Sequence, residues 1–201
     1  MNDVARAPAA ALTYALLVAN VAIFALESVY GDAVITAFAL WPLGHGFQPW
    51  QPVTSAFLHA GIAHLATNMF GLWMFGRDVE RTLGTRRFAT LYLASLVTAA
   101  IAQLAVSGLM AEARPSLGAS GALFGILAAF AMLFPTRRVV LLFPPIPMKA
   151  RTFMLAYAAF ELYAGVTGTF AGVAHFAHLG GLVGGVLCVR YWLQPGRNRP
   201  A

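Results

Sequence analysis

The sequence predicts an all-α polytopic membrane protein, a bundle of six transmembrane helices. Three observations predict it. Hydrophobic residues make up 60% of the 201 residues and charged residues only 10%, against about 25% charged in a usual soluble domain. The mean hydropathy is +0.73. The apolar residues fall in blocks near the roughly 20 residues that a helix needs to cross a bilayer core. These blocks are apolar on both parities, whereas the strands of a membrane barrel alternate.

The first helix is expected over about 11–29, after Arg6. That block is too long for the apolar core of a signal peptide and has no clear cleavage site, so it reads as a retained helix. A long loop follows, to about Thr54. Its Trp41, Trp50, Pro42, Pro49 and Pro52 suit a segment lying at the membrane interface. The second helix is expected over about 55–75 and the third over about 88–110. The fourth, over about 116–134, is bracketed by Pro115 and Pro135 as start and stop signals. The fifth and sixth are expected over about 152–167 and 172–193. No second domain or internal repeat is visible, so residues 1–201 read as one membrane domain.

The net charge of +6 raises the question of nucleic acid. The basic residues do not form one patch or tail, so no nucleic-acid partner is expected. They lie in the short gaps between apolar blocks. Arg77, Arg81, Arg86 and Arg87 follow the second helix; Arg137, Arg138, Lys149 and Arg151 follow the fourth; Arg190, Arg197 and Arg199 close the chain. Only Arg114 falls in a gap of the other parity. The positive-inside rule then places both termini in the cytoplasm. The second, fourth and sixth helices enter from the outer side. Short loops and the lack of an appended soluble domain suggest a bacterial plasma membrane. The single cysteine, Cys188, can form no internal disulfide.

A polar side chain in hydrocarbon is costly and is a functional candidate by default. The candidates are His59, His64, Asn68, Ser120, Glu161, His175 and His178. His64 and Asn68 are four apart and share a helix face. On the expected helices, Ser120, His178 and His64 all lie about one to two turns below the outer surface. A serine, a histidine and a His/Asn pair at one depth are the parts that acyl transfer needs. Gly121 and Gly125, and Gly181 and Gly185, have the spacing that lets membrane helices approach closely. Such an approach would bring Ser120 within reach of His178. The start of the fourth helix offers unpaired N–H groups and a positive dipole end, which favour an oxyanion near Ser120.

Several motifs together resemble the rhomboid intramembrane proteases. They are Gly118-Ala119-Ser120-Gly121, the series His59, His64, Asn68, and Ala177-His178-Leu179-Gly180-Gly181. The stretch from Gly76 to Gly84 is also similar, and the resemblance runs from about Trp41 to Gly185. It implies a serine endopeptidase with a Ser–His dyad and no carboxylate, cleaving transmembrane segments of other membrane proteins in the lipid bilayer, often after a small residue. Ser120 would be the nucleophile and His178 the general base. His64, Asn68 and the Ser120 N–H would stabilise the oxyanion. Gly118, Gly121, Phe124, Gly181 and His59 would support them. Substrate would arrive laterally near the fifth helix, with the following loop as a cap. Two positions depart from the pattern: Gln51 follows Trp50 where many relatives have arginine, and Phe124 stands where a subset has tyrosine.

Plainer readings stand beside these. Alone, Ser120 is more simply a helix-packing serine, and His178 a satisfied core histidine. Asn68 has a rival role as an inter-helix hydrogen-bonding group. His59 reads as structural, His175 as a packing or supporting residue, and Glu161 as hydrogen-bonded within the fifth helix's contacts and open to protonation, with no catalytic role. Four histidines and Glu161 could supply metal ligands, yet there is no His-Glu-x-x-His, and no metal or cofactor is expected. The three aspartates, Asp3, Asp32 and Asp78, lie in tails or loops, which excludes an aspartyl intramembrane protease. A non-catalytic relative would lack the serine or the histidine, and a transporter would show repeats and broken helices.

Overall fold

The computed structural model describes residues 10–140, 145–170 and 172–194. Arg6, Arg197 and Arg199, three of the expected topology charges, lie outside them. Helix α1 spans Ala11–Tyr30. The expected interfacial loop contains two short helices, α2 (Asp32–Phe38) and α3 (Gln51–Thr54), and a 3-10 turn, Ser55–Phe57. Helix α4 (Ile62–Gly71) continues through a π turn (Leu72–Gly76) into α5 (Arg77–Leu83). The second expected helix is therefore displaced towards the C-terminus. The charged residues after Gly76 mark where the chain meets water, and water does not end a helix. Gly84, at φ 79°, ends it.

Helix α6 covers Thr85–Leu109, α7 Ser120–Leu133, α8 Ala150–Thr167 and α9 His175–Leu193. Between α7 and α8, strand β1 (Arg138–Val140) pairs antiparallel with β2 (Pro147–Lys149), Val139 opposite Met148. Among the described residues, α1, α6 and α9 are long and apolar enough to cross a membrane, and α7 is a shorter apolar helix. The expectation of six spanning helices is thus met by length and composition in three.

Helix α7 is apolar around its circumference, and a helix of that kind is buried. From Phe124 to Ala131 every residue is buried. Leu72, Phe75, Val79, Phe88, Leu91, Ile126, Phe130 and Val189 join one core around it. Helix α9 reaches α7 at backbone distance: a Cβ on Gly181 would overlap the Gly121 carbonyl, and one on Gly185 the Gly125 carbonyl.

Two ends of the bundle are distinguished by their ties. At one, the Glu80 carboxylate accepts from the Leu12 and Thr13 N–H groups at 3.0 and 2.8 Å and from the Thr13 and Thr85 hydroxyls at 2.7 and 2.9 Å. It thereby caps the start of α1, whose own flanking residue Ala10 has no side chain to do so. Asp78 pairs with Arg137 at this end, and the Arg87 guanidinium lies 5.9 Å from the Trp192 ring centroid. At the other end, Leu40 and Ser116 exchange both backbone hydrogen bonds at 2.9 Å, and Glu27 accepts from the His59 N–H at 3.0 Å.

Candidate active site

The segment 116–119, expected to be helical, lies outside the helix instead. The Leu40–Ser116 bridge and the bond from the Gly118 N–H to the Ser55 carbonyl, 2.9 Å, hold it to the first loop. Pro115 leads into this non-helical segment rather than into a helix. Gly118 has φ 125°, and a Cβ there would lie 2.8 Å from His64 Cε1. Both the conformation and the space call for glycine. The consequence is that Ser120 is the first residue of α7, with its N–H among those that have no partner within the helix.

Ser120 Oγ and His178 Nε2 are 2.7 Å apart. The backbone contacts of Gly121 and Gly181, three residues beyond His178, bring these two helices together. The Phe124 ring stacks on the His178 imidazole, centroids 4.4 Å apart and planes within 6°. Phenylalanine therefore supplies the stacking face where tyrosine was the alternative. Tyr157, on α8, meets the Phe124 ring at 4.9 Å.

His64 lies against Gly118, within the same cleft as Ser120. Its Nδ1 accepts from the Ala60 N–H at 3.3 Å, so a neutral His64 carries its proton on Nε2. Asn68 Nδ2 donates to the His64 carbonyl at 2.9 Å, and its second N–H is available to another acceptor. Asn68 Oδ1 is buried with no partner among the described residues. His64, Asn68, Ser120, Phe124 and His178 all line one cleft of about 1600 Å³, bounded on its far side by Phe153, Tyr157 and Phe160 of α8. His59 does not line it. It is buried behind His64, ring edge to ring face at 5.1 Å, with neither ring nitrogen bonded to a described residue.

The other departure, Gln51, is also accounted for. Its buried side chain accepts from the Trp41 and Gln48 N–H groups, each at 3.1 Å, and donates to the Gly46 carbonyl at 3.4 Å. A neutral amide thus ties the first loop together from inside.

Glu161 makes its hydrogen bonds to the neighbouring helix: Oε2 lies 2.9 Å from His178 Nδ1 and 2.7 Å from His175 Nδ1. His175 Nε2 in turn faces the Thr169 carbonyl at 3.0 Å. A lone acidic residue within an apolar block carried the signal, since such a residue needs a partner. The sequence did not say which helix supplied it. Three ligand-type atoms converge within 4.8 Å here; hydrogen bonds engage all of them.

A family model described as the rhomboid domain matches residues 46–195. The chain belongs to the rhomboid family. This rhomboid chain is 36% identical over 179 residues, 88% of its length, to Rhomboid protein 1, mitochondrial, of Saccharomyces cerevisiae. It is 36% identical over 136 residues, 68% of its length, to Rhomboid protease GluP of Bacillus subtilis. It is 34% identical over 140 residues, 68% of its length, to the human presenilin-associated rhomboid-like protein, mitochondrial. The rhomboid chain spans 51%, 24% and 36% of those three relatives, respectively. Bacterial and mitochondrial proteins both stand among them, so the expected bacterial membrane is one of two settings the relatives represent. Family membership and the apolar helices make the chain an integral membrane protein.

Proposed function

We propose that this rhomboid is an intramembrane serine endopeptidase that hydrolyses peptide bonds in or near transmembrane segments of other membrane proteins. The observation that carries the reading is the 2.7 Å contact between Ser120 Oγ and His178 Nε2 at the head of α7, inside a cleft. Ser120 Oγ attacks the scissile carbonyl carbon while its proton passes to His178 Nε2. The C–N bond then breaks as that proton passes to the leaving amine. Water repeats the sequence on the acyl-enzyme and frees Ser120.

The oxyanion is met by the Ser120 N–H, His64 Nε2–H and the Asn68 amide. Gly118 leaves room for the His64 ring. Gly121 and Gly181 set the helix approach, Phe124 holds the His178 ring plane, and His59 backs His64. No metal or cofactor enters these steps. The apolar wall of the cleft, Phe153, Tyr157 and Phe160, suits a lipid-soluble substrate segment arriving past α8.

Residues 1–201 act as one membrane domain with six spanning helices. In this reading α4 with α5, α7 and α8 complete the set begun by α1, α6 and α9. At about 1.5 Å per residue α7 is about 21 Å long, so it spans only with a locally thinned bilayer or with its flanking segments. Both termini are cytoplasmic and the cleft opens to the outer side, in a bacterial plasma membrane. Supporting this, Arg77, Arg81, Arg87 and Arg137 gather at the bundle end that holds the start of α1, opposite the Ser120 end.

A fluorophosphonate probe tests the nucleophile. Purified protein in detergent should carry one adduct, on Ser120 by peptide mass spectrometry, and Ser120→Ala should carry none. Labelling unchanged in Ser120→Ala would overturn the reading.

A further inference from the structure

We infer that Glu161 is a positioning residue for His178, the third member of a Ser120–His178–Glu161 relay that His175 completes; this rests on the reading of Ser120 and His178 given above. Four contacts carry the inference. Ser120 Oγ meets His178 Nε2 at 2.7 Å, and His178 Nδ1 meets Glu161 Oε2 at 2.9 Å. The same oxygen meets His175 Nδ1 at 2.7 Å, and His175 Nε2 meets the Thr169 carbonyl at 3.0 Å. Glu161, His175 and His178 are all buried.

Proton counting fixes the roles. A backbone carbonyl only accepts, so His175 Nε2 carries a proton. To take the Ser120 proton, His178 Nε2 must hold a lone pair, so the His178 proton is on Nδ1 and is donated to Glu161. One further proton is shared between His175 Nδ1 and Glu161 Oε2. Whether it sits on the nitrogen or the oxygen, the resting cluster is neutral, which a buried site requires. When His178 takes up the serine proton, the cluster gains one positive charge as the substrate gains an oxyanion. The carboxylate then stabilises the imidazolium, while His175 keeps the carboxylate oriented. No proton leaves the cluster through Glu161 in this scheme.

Glu161 also joins two helices at the reacting atoms. It projects from α8, the helix that walls the cleft, onto α9, which carries both histidines. Helix α8 thereby has a direct hold on the His178 tautomer, and the Thr169 carbonyl just after α8 extends the hold to its end.

The test uses the full chain in detergent with a model transmembrane substrate. Glu161→Gln keeps shape and removes the ionisable carboxyl group. Its kcat should fall by about 10²-fold, the lower range for a general-base contribution, with KM within about twofold. Glu161→Asp should recover part of that loss. Independently, ¹⁵N-histidine NMR of the unaltered protein, assigned by loss of signals in His178→Asn, should show His178 protonated on Nδ1 with a low-field N–H. Unaltered kcat in Glu161→Gln, or a His178 protonated only on Nε2, overturns the inference; the NMR result decides if Glu161→Gln does not fold. Ser120→Ala is measured in parallel. If it retains turnover, the reading of the site itself fails. If it is inactive while Glu161→Gln is fully active, only the role of Glu161 fails.

Discussion

The rings of Phe124 and His178 lie face to face, 4.4 Å between centroids and 6° from parallel. Such a stack restrains the imidazole about the two torsions that aim Nε2 at Ser120. An offset aromatic contact of this kind contributes about 0.5–1.5 kcal/mol. Phe124→Ala should therefore lower kcat by about two- to tenfold, since about 1.4 kcal/mol is one decade in rate, and Phe124→Tyr should keep it. Steady-state cleavage of a model substrate measures both. Full activity in Phe124→Ala would remove the stack from the account.

In the proposed mechanism, His64 and Asn68 donate to the oxyanion that forms on the reacting carbonyl. Donors of that kind act in the transition state, so their loss lowers turnover rather than affinity. His64→Ala and Asn68→Ala should each reduce kcat by about 10²-fold with little change in KM. A pure rise in KM at either position would contradict the assignment.

Gly181 meets the Gly121 carbonyl with no room for a methyl group. Gly181→Ala must push α9 away from α7, and overpacking of this kind costs about 1–3 kcal/mol. Both the thermal midpoint in detergent and kcat should fall, because His178 rides on the displaced helix. A variant with unaltered midpoint and activity would show that the helices do not meet there.

Glu80 is buried and accepts three hydrogen bonds from the start of α1 and a fourth from Thr85 at the start of α6. Glu80→Ala leaves those donors without their partner, at about 1–3 kcal/mol for each buried group left unsatisfied. The thermal midpoint should drop by several degrees, while fluorophosphonate labelling of the protein that remains folded should persist. An unaltered midpoint would contradict the capping role.

The long helices were legible because a bilayer-length apolar block leaves few alternatives. The Ser120–His178 pairing was legible too, through polar residues in apolar surroundings and glycines at helix-packing spacing. What escaped was set by tertiary partners. The non-helical segment 116–119 is held by the bridge from Ser116 to Leu40, which no local pattern announces. Helices α2 and α3 and the β1–β2 hairpin are too short to build a periodic signal. Helix α5 continues α4 past the charged residues because helix length and hydrocarbon thickness are separate constraints. Gln51 departs from the family pattern, and its role as a buried tie between backbone groups depends on the fold of the loop. Glu161 was visible as a lone buried acid, but its partners are on α9, 14 and 17 residues away in the chain.

The most direct measurement is cleavage of a model transmembrane substrate by purified protein in detergent, with Ser120→Ala and His178→Ala beside it at equal thermal stability. The account predicts cleavage by the unaltered chain and loss of cleavage in both variants. Cleavage by folded Ser120→Ala at the unaltered rate would contradict it.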